Sequence, residues 1–414
     1  MFRLQLLAFL SGAFLGPCLV GNGAATWPQD LPTIRARVAE MRRQLGNSAG
    51  QPEKPDTFQS IPATNIPWLD RSEARASWLK LEAEVARQRW WRVGLDPATL
   101  THPLRQPAGV ISGAIHAQRA GVTDRATAMK LAGPAAEFLL WAQTQAGTGG
   151  FPFPAYRGGS ADPALAAAAR FLERAERAGR LAQVVHSGWI IEDDSDGGLQ
   201  FDNGEAGVAL FELFSLSGDT NHLAAARRAA DWALGRALVP NWNYNSFSVH
   251  LLTQAFTATG EPKYLAAAIQ KARLGMIPGQ LTDGPRAGRW LDPHNARPSY
   301  HYIMLRALAG LAAAIPAHDP AREEIIGALK LGLRARNPDF LGPGAPNEDH
   351  ALETLLLVRR NFANDSELLR ETQTPTALTA LGRLVSEQAR RGRMPLGPRA
   401  WGMFLAHAAS SSQP

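Results

Sequence analysis

The sequence predicts an all-α fold assembled from paired helices, and three observations carry that prediction. Apolar residues recur at steps of three and four in one segment after another, the spacing of a helix with one buried face. Period-two alternation, the mark of a half-buried strand, is nearly absent. Two helix pairs repeat. LFELFSLSGDTNHLAAARRAADWAL, from Leu210, and LLTQAFTATGEPKYLAAAIQKARLG, from Leu251, place Gly218 over Gly260 and Leu223 over Leu265, an offset of 42. GLAAAIPAHDPAREEIIGALKLGL is a looser third copy. Such pairs stack into arrays because one pair alone cannot bury its apolar face.

In chain order, Leu31 to Leu45 reads as a helix and Asn47 to Pro62 as a polar, proline-dotted linker. Ser72 to Trp90 is helical, since Ala76, Leu79, Ala83, Ala86 and Trp90 keep the three-four step, and Ser72 with Glu73 makes a helix start. From residue 108 the rhythm is regular. Helices are predicted over 108–121, 126–146, 162–181, 203–217, 221–235, 245–259, 262–274, 298–315, 321–335, 348–361, 374–391 and 398–410. Their connections are alternately short and long. In two short ones, Gly218 and Gly260 follow a helix, where glycine tolerates left-handed backbone. Asp219 and Glu261 then open the next helix, where negative charge meets the dipole favourably. The organisation is an extension over 26–107 and a helical domain over 108–410.

Composition excludes several classes of function. With 45% hydrophobic and 19% charged residues over 414 positions, the chain has enough apolar surface for a large core and is not disordered as a whole. Cys18 is the only cysteine, so neither an intrachain disulfide nor a cysteine zinc site can form. The formal charge is +6, and the basic residues are nearly all arginine. Arginine forks grip carboxylates in two-pronged fashion, which suits acidic ligands, although codon usage alone also enriches arginine. Basic runs with interleaved aromatics are missing, so nucleic acid is not an expected partner. The first residues read as a secretory signal: Arg3, an apolar run from Leu4 to Val20, and small residues Gly23-Ala24-Ala25. Cleavage is expected after Ala25, with export to the periplasm or beyond; Pro17 before Cys18 does not suit lipid attachment. No later stretch has the length and apolarity of a membrane span.

The twelve helices, the recurring phrase around Gly218 and Gly260, and the export signal resemble the (α/α)6 toroids, the six-hairpin glycosidase-like proteins. The resemblance covers about residues 108 to 410 and implies a closed ring of six hairpins, with many glycoside hydrolases and polysaccharide lyases among its members. An open α-solenoid is the structural rival; twelve helices and aromatic-rich long loops favour closure. In such a ring the long loops share one face, and a ligand binds where they converge.

Candidate site residues therefore come from the long loops. Residues 147–159 spread Phe151, Phe153 and Tyr156 through glycine and proline, rings that suit stacking on sugars. Residues 186–207 hold Glu192, Asp193, Asp194, Asp196, Asp202 and Glu205, six carboxylates within fourteen positions. Paired carboxylates serve glycoside hydrolysis, one as acid and one as base or nucleophile. The same oxygens suit calcium, with Asp202 and Glu205 as ligands. A solvated acidic loop, with Asp202 capping a helix, accounts for them equally. Trp242, Tyr244 and Asn245 stand before the next helix as a sugar platform or a cap. Residues 283–301 pack Asp283, Arg286, Arg289, Asp292, His294, Arg297, Tyr300 and His301 into nineteen positions. There Arg289, His294 and Arg297 are candidates to bind an acidic sugar, and Asp292, Tyr300 and His301 to move protons. Glu348, Asp349 and His350 open a helix that Asn347 caps.

GGFPFPAYRG followed by GGLQFDNGEAGVALFELFSL is similar in order to the toroid-type pectate lyases, with Phe151 at that family's tryptophan and Phe201-Asp202-Asn203 at its Phe-Asn-Asp. The Asn-Asp order is inverted here, and the family's arginine base has no counterpart. Calcium is implied only through that likeness. The expected function is cleavage of a polysaccharide or oligosaccharide, uronate-containing, by β-elimination or hydrolysis. Asp194, Asp196, Asp292, Tyr300 and His301 are the candidate catalytic groups, and Phe151, Tyr156, Trp242, Tyr244, Arg289, His294 and Arg297 the binding groups. The alternative is a non-catalytic envelope protein that binds sugar or supports assembly with the same cavity.

Overall fold

The computed structural model describes residues 27–54, 56, 58–60, 66–88, 94–159, 163–194, 196–342, 344–346, 349–394 and 396–411. The expected signal peptide, with Cys18, and the residues Trp90, Asn347 and Glu348 lie outside them. In chain order the elements begin with α1 (Leu31–Leu45), β1 (Phe58–Ser60), α2 (Arg71–Gln88), α3 (Arg105–Arg119) and α4 (Arg125–Ala146). Next come β2 (Phe153–Pro154), α5 (Pro163–Arg177), α6 (Leu181–Val184), β3 (Val185–His186), β4 (Trp189–Ile190), α7 (Gly198–Ser217) and α8 (Thr220–Gly235). They continue with α9 (Trp242–Thr259), α10 (Pro262–Gly275), α11 (Pro298–Ala314), α12 (Pro320–Arg336) and β5 (Gly344–Pro346). The last are α13 (Asp349–Asn361), α14 (Ser366–Glu371), α15 (Thr374–Arg390) and α16 (Pro398–Ser411).

Local signals set the helix ends. Gly218 and Gly260 adopt φ of 74° and 72°, the left-handed caps the repeat requires. Asp219 caps α8 by accepting from Asn221 N at 2.8 Å. Glu261, at the same place before α10, makes no cap and pairs with Arg227 and Lys263.

Packing closes these helices into a ring. The inner wall runs α3, α7, α9, α11, α13, α16, each against the next, and α16 returns to α3. Outside stand α4, α8, α10, α12 and α15, with α2 behind α16. The fold is thus an all-α (α/α)6 toroid. Residues 198–211 of α7 and 300–312 of α11 are almost continuously buried, as befits helices surrounded on all sides.

The membership of the ring differs from the sequence expectation in one pair. The helix expected over 162–181 is α5, and it stands aside. It packs in a separate apolar cluster with Phe153, Val184, Ile190 and Leu199. The outer helix that pairs with α16 is α2, from the amino-terminal extension. Trp68, just before it, lies 5.2 Å from Phe404 between ring centroids. A helix pattern states that one face is buried but not against what, so periodicity could not choose between α2 and α5.

Closure depends on glycine at the α3–α16 seam. A Cβ on Gly113 would run into the Pro398 carbonyl, and one on Gly402 into the Gly113 backbone. Gly402→Ala is expected to destabilise the chain by about 1–3 kcal/mol, the cost of overpacking a tight contact. Urea unfolding checks this, and an unchanged midpoint would show that the seam is not tight.

Short connections follow α3, α7, α9 and α11, and longer loops precede α3, α7, α11 and α13. The amino termini of all inner helices therefore share one mouth. A strap from the extension runs along its rim. Gly50 N donates to Leu291 O at 2.8 Å and Glu53 N to Pro293 O at 3.1 Å. Further on, β1 pairs antiparallel with β5, Phe58 opposite Pro346. The strap thus spans from the loop before α11 to the loop before α13.

Candidate active site

Three layers fill the axis below the mouth. The first consists of first-turn and second-turn side chains: Phe201, Tyr244, Phe247, Tyr300 and Ile303, with Val239 from a loop. Phe201 and Phe247 stack at 4.1 Å, and the Arg105 guanidinium lies 3.7 Å over Phe201. The two charged loops read in the sequence therefore meet on one aromatic floor, Phe201 from one and Tyr300 from the other.

One turn deeper, Glu205, Arg306, Glu353 and Arg399 form a buried lattice. Arg306 donates to Glu353 at 2.9 Å and also to Glu205, and Glu205 accepts from Arg399. Two cations and two anions balance there. Burial alone would raise the Glu205 carboxyl, but Arg306 and Arg399 hold it below its ordinary range. His250 lies beside this lattice, pushed down to about 3 by burial and the charge of Arg306, so it is neutral. The third layer joins Ser112, His116 and Glu212.

Asp196 stands at the mouth, just before α7. Its Oδ1 accepts from Gly198 N at 3.0 Å, and Gly197 packs against Val239 and the Tyr244 side chain. The residue is partly accessible. Burial and the neighbouring Asp193 carboxylate push its carboxyl up to about 7. Asp193 itself is locked by Arg236 Nη2 at 2.8 Å and Leu199 N at 3.2 Å. Two carboxyl groups thus sit side by side, one in an ion pair and one holding a proton near neutrality, an arrangement typical of acid–base sites.

The other sequence candidates fall in distinct places. Asp194 points to the α5 side, with Arg174 at 3.3 Å and Arg180 at 3.4 Å. Asp292 accepts from Asn295 N at 2.9 Å and is pushed up by burial. Tyr300 belongs to the floor and stacks with His294 at 4.4 Å. His301 faces outward into the packing, fully buried, with Nε2 2.9 Å from Gly332 O. Phe151 and Trp242 are fully buried rather than displayed; Trp242 sits edge-on to Trp27 at 5.3 Å. Tyr156 is half-buried beside α5. Arg289 lies 3.8 Å from Asp339, and Arg297 pairs with Glu53 at 2.6 Å. Asp349 and His350 open α13 as expected.

Two expectations about the acidic segment change. α7 begins at Gly198, so Asp202 lies inside its first turns and does not cap it. Asp202 instead takes both prongs of Arg105, at 2.7 and 3.1 Å. Asp202 and Glu205 both face arginines, and among the described residues no group of three or more His, Cys, Asp or Glu can hold a metal. A calcium ion would have to sit against guanidinium groups, so these residues do not fit it. Asn245 likewise lies within α9 and ties Val239 O to Gly275 O, both at 2.8 Å.

Sequence reasoning missed Arg105, Glu205 as an arginine partner, His250, Arg306, Glu353, Arg399 and Glu53. The available signal was charge inside an apolar helix, such as the single arginine in SYHYIMLRALAGLAAA.

Neither a known family profile nor a curated protein matches the chain. Solved structures are similar in shape. A polysaccharide lyase has 13% identity and a TM-score of 0.48, covering 82% of this chain and 96% of its own. A glycosyl hydrolase of family 88 from Bacteroides vulgatus has 12% identity and a TM-score of 0.48, covering 82% and 98%. A cellobiose 2-epimerase from Spirochaeta thermophila has 13% identity and a TM-score of 0.46, covering 92% and 98%. Among the described residues no helix is long and apolar enough to cross a membrane.

Proposed function

We propose that the chain is an exported carbohydrate-active enzyme that cleaves a glycosidic bond at the mouth of the ring, with Asp196 as proton donor. The geometry that carries this reading is a partly accessible carboxyl at the mouth, beside the Asp193–Arg236 ion pair, which burial and the Asp193 charge push up to about 7. A protonated carboxylic acid can neutralise a departing sugar oxygen. In hydrolysis the Asp196 proton goes to the leaving oxygen and a water hydroxyl goes to the anomeric carbon. The second water proton returns to the carboxylate.

Hydrolysis is favoured over β-elimination by one observation. Elimination needs a free base that reaches the sugar, and of the candidates His301 is fully buried against α12, Tyr300 is buried and stacked on His294, and Arg289 and Arg297 face Asp339 and Glu53. An acidic, uronate-containing substrate is supported by Arg297 and His294 at the edge of the floor. Export is supported by the apolar run from Leu4 to Val20.

The test is to offer the purified chain neutral and uronate-containing polysaccharides and to follow reducing ends and the absorbance of unsaturated products. New reducing ends without that absorbance are expected. Absorbance would make the enzyme a lyase, and binding without either product would leave a sugar-binding protein.

A further inference from the structure

The strap places a carboxylate where the proposed substrate would place one. Glu53 Oε2 accepts from Arg297 Nη2 at 2.6 Å and lies 3.9 Å from His294 Nδ1. His294 in turn stacks on Tyr300 of the aromatic floor. Glu53 leaves its partners half satisfied. Arg297 Nε and His294 Nε2 are buried and have no hydrogen-bond partner among the described residues. A guanidinium offers a carboxylate two parallel donors, and here Glu53 engages one. The strap does not need this side chain to stay in place, because its backbone is held by Leu291 O and Pro293 O. Gly50, at φ 73° and against Leu281 and Arg286, fixes its approach. Glu53 itself is about one third exposed, at 35% of its side chain, so a ligand from solvent can displace it.

We infer that Arg297 and His294 form a carboxylate-binding subsite at the mouth, and that the chain's own Glu53 fills it as an internal competitor until an acidic ligand displaces it. That the ligand is a sugar acid rests on the function proposed above; the subsite and its occupant do not. The strap thereby raises the threshold for acidic ligands and leaves neutral ones unaffected, since a protein whose competent state is rarely populated binds more weakly by that fraction.

The experiment is a calorimetric titration of the full chain with D-glucuronate, and with D-glucose as the neutral counterpart. Glu53→Ala is expected to bind glucuronate about tenfold more tightly than the unaltered chain, as for a subsite open in roughly one molecule in ten, with no change for glucose. Adding Arg297→Ala should cancel the gain. Should Glu53→Ala fail to fold, Glu53→Gln keeps the size, removes the charge and should still favour glucuronate. Equal glucuronate affinity in variant and unaltered chain, an equal gain for glucose, or no binding by either overturns the inference. Glycan cleavage with no such gain sinks the subsite alone. The gain without cleavage of any glycan sinks the enzyme reading and leaves the subsite standing.

Discussion

Asp196→Asn is expected to abolish glycan cleavage while making the folded chain more stable above neutral pH. The loss should be roughly 10²- to 10⁴-fold in kcat, the usual contribution of a positioned proton donor. The amide can still accept from Gly198 N, so the start of α7 is preserved. The stability effect follows from linkage. Asp196 ionises near 3.8 in the unfolded chain and near 7 in the folded one. Between those values the folded chain binds the extra proton, so stability is greatest below pH 4 and falls as pH rises to about 7. Above 7 the folded chain carries a carboxylate that its surroundings disfavour. Asparagine cannot ionise, so its gain should be at most about 4 kcal/mol at pH 8 and small at pH 4. Melting curves at both pH values, with reducing-end assays, measure the two effects together. On the proposed function, the unaltered chain should also lose glycan cleavage as pH rises through about 7, as Asp196 gives up its proton. Retained turnover in the variant, or a lower melting temperature at pH 8, would remove Asp196 from the role assigned to it.

Arg306→Met should cost about 3–5 kcal/mol of stability, the penalty for stripping one partner from a buried ion pair. Arg306 is 2% exposed and holds Glu205 and Glu353 apart. Without it, two buried carboxylates share the single guanidinium of Arg399, with only His350 beside Glu353. Methionine fills similar volume, so the loss reports charge rather than packing. Pairing it with Glu353→Gln should recover part of the loss, with a coupling of roughly 0.5–3 kcal/mol. Urea unfolding of both singles and the double measures this. Additive losses would show that the lattice is not one unit.

The helices themselves were legible from the sequence. Those expected over 126–146, 221–235 and 262–274 appear at Arg125–Ala146, Thr220–Gly235 and Pro262–Gly275. Their first residues were placed late only where polar or aromatic residues open a buried helix. The segments 203–217 and 245–259 start at Gly198 and Trp242 instead. Asp202 and Asn245 look like caps by type, yet Asp202 binds Arg105 at the start of α3 and Asn245 binds Gly275 O at the end of α10. The floor was half legible: Tyr244 and Tyr300 stood out as loop aromatics and Phe201 through its likeness to a pectate-lyase segment, whereas Phe247 carried no signal of its own.

Periodicity, turn glycines and the repeat are written within a few residues of one another, so the chain alone settles that it folds into helical hairpins and where most of them turn. Partner choice is different. Arg306 meets Glu205 across 101 positions, Arg399 meets Glu205 across 194, and Arg297 meets Glu53 across 244. Spacing cannot reveal such pairs, because what joins them is the closing of the ring. The same closure recruited α2 and set α5 aside, turned His301 into packing, and set Asp196 where burial and Asp193 raise its carboxyl. Burial and neighbouring charge decide what an ionisable side chain does, and both arise only once distant segments are in contact.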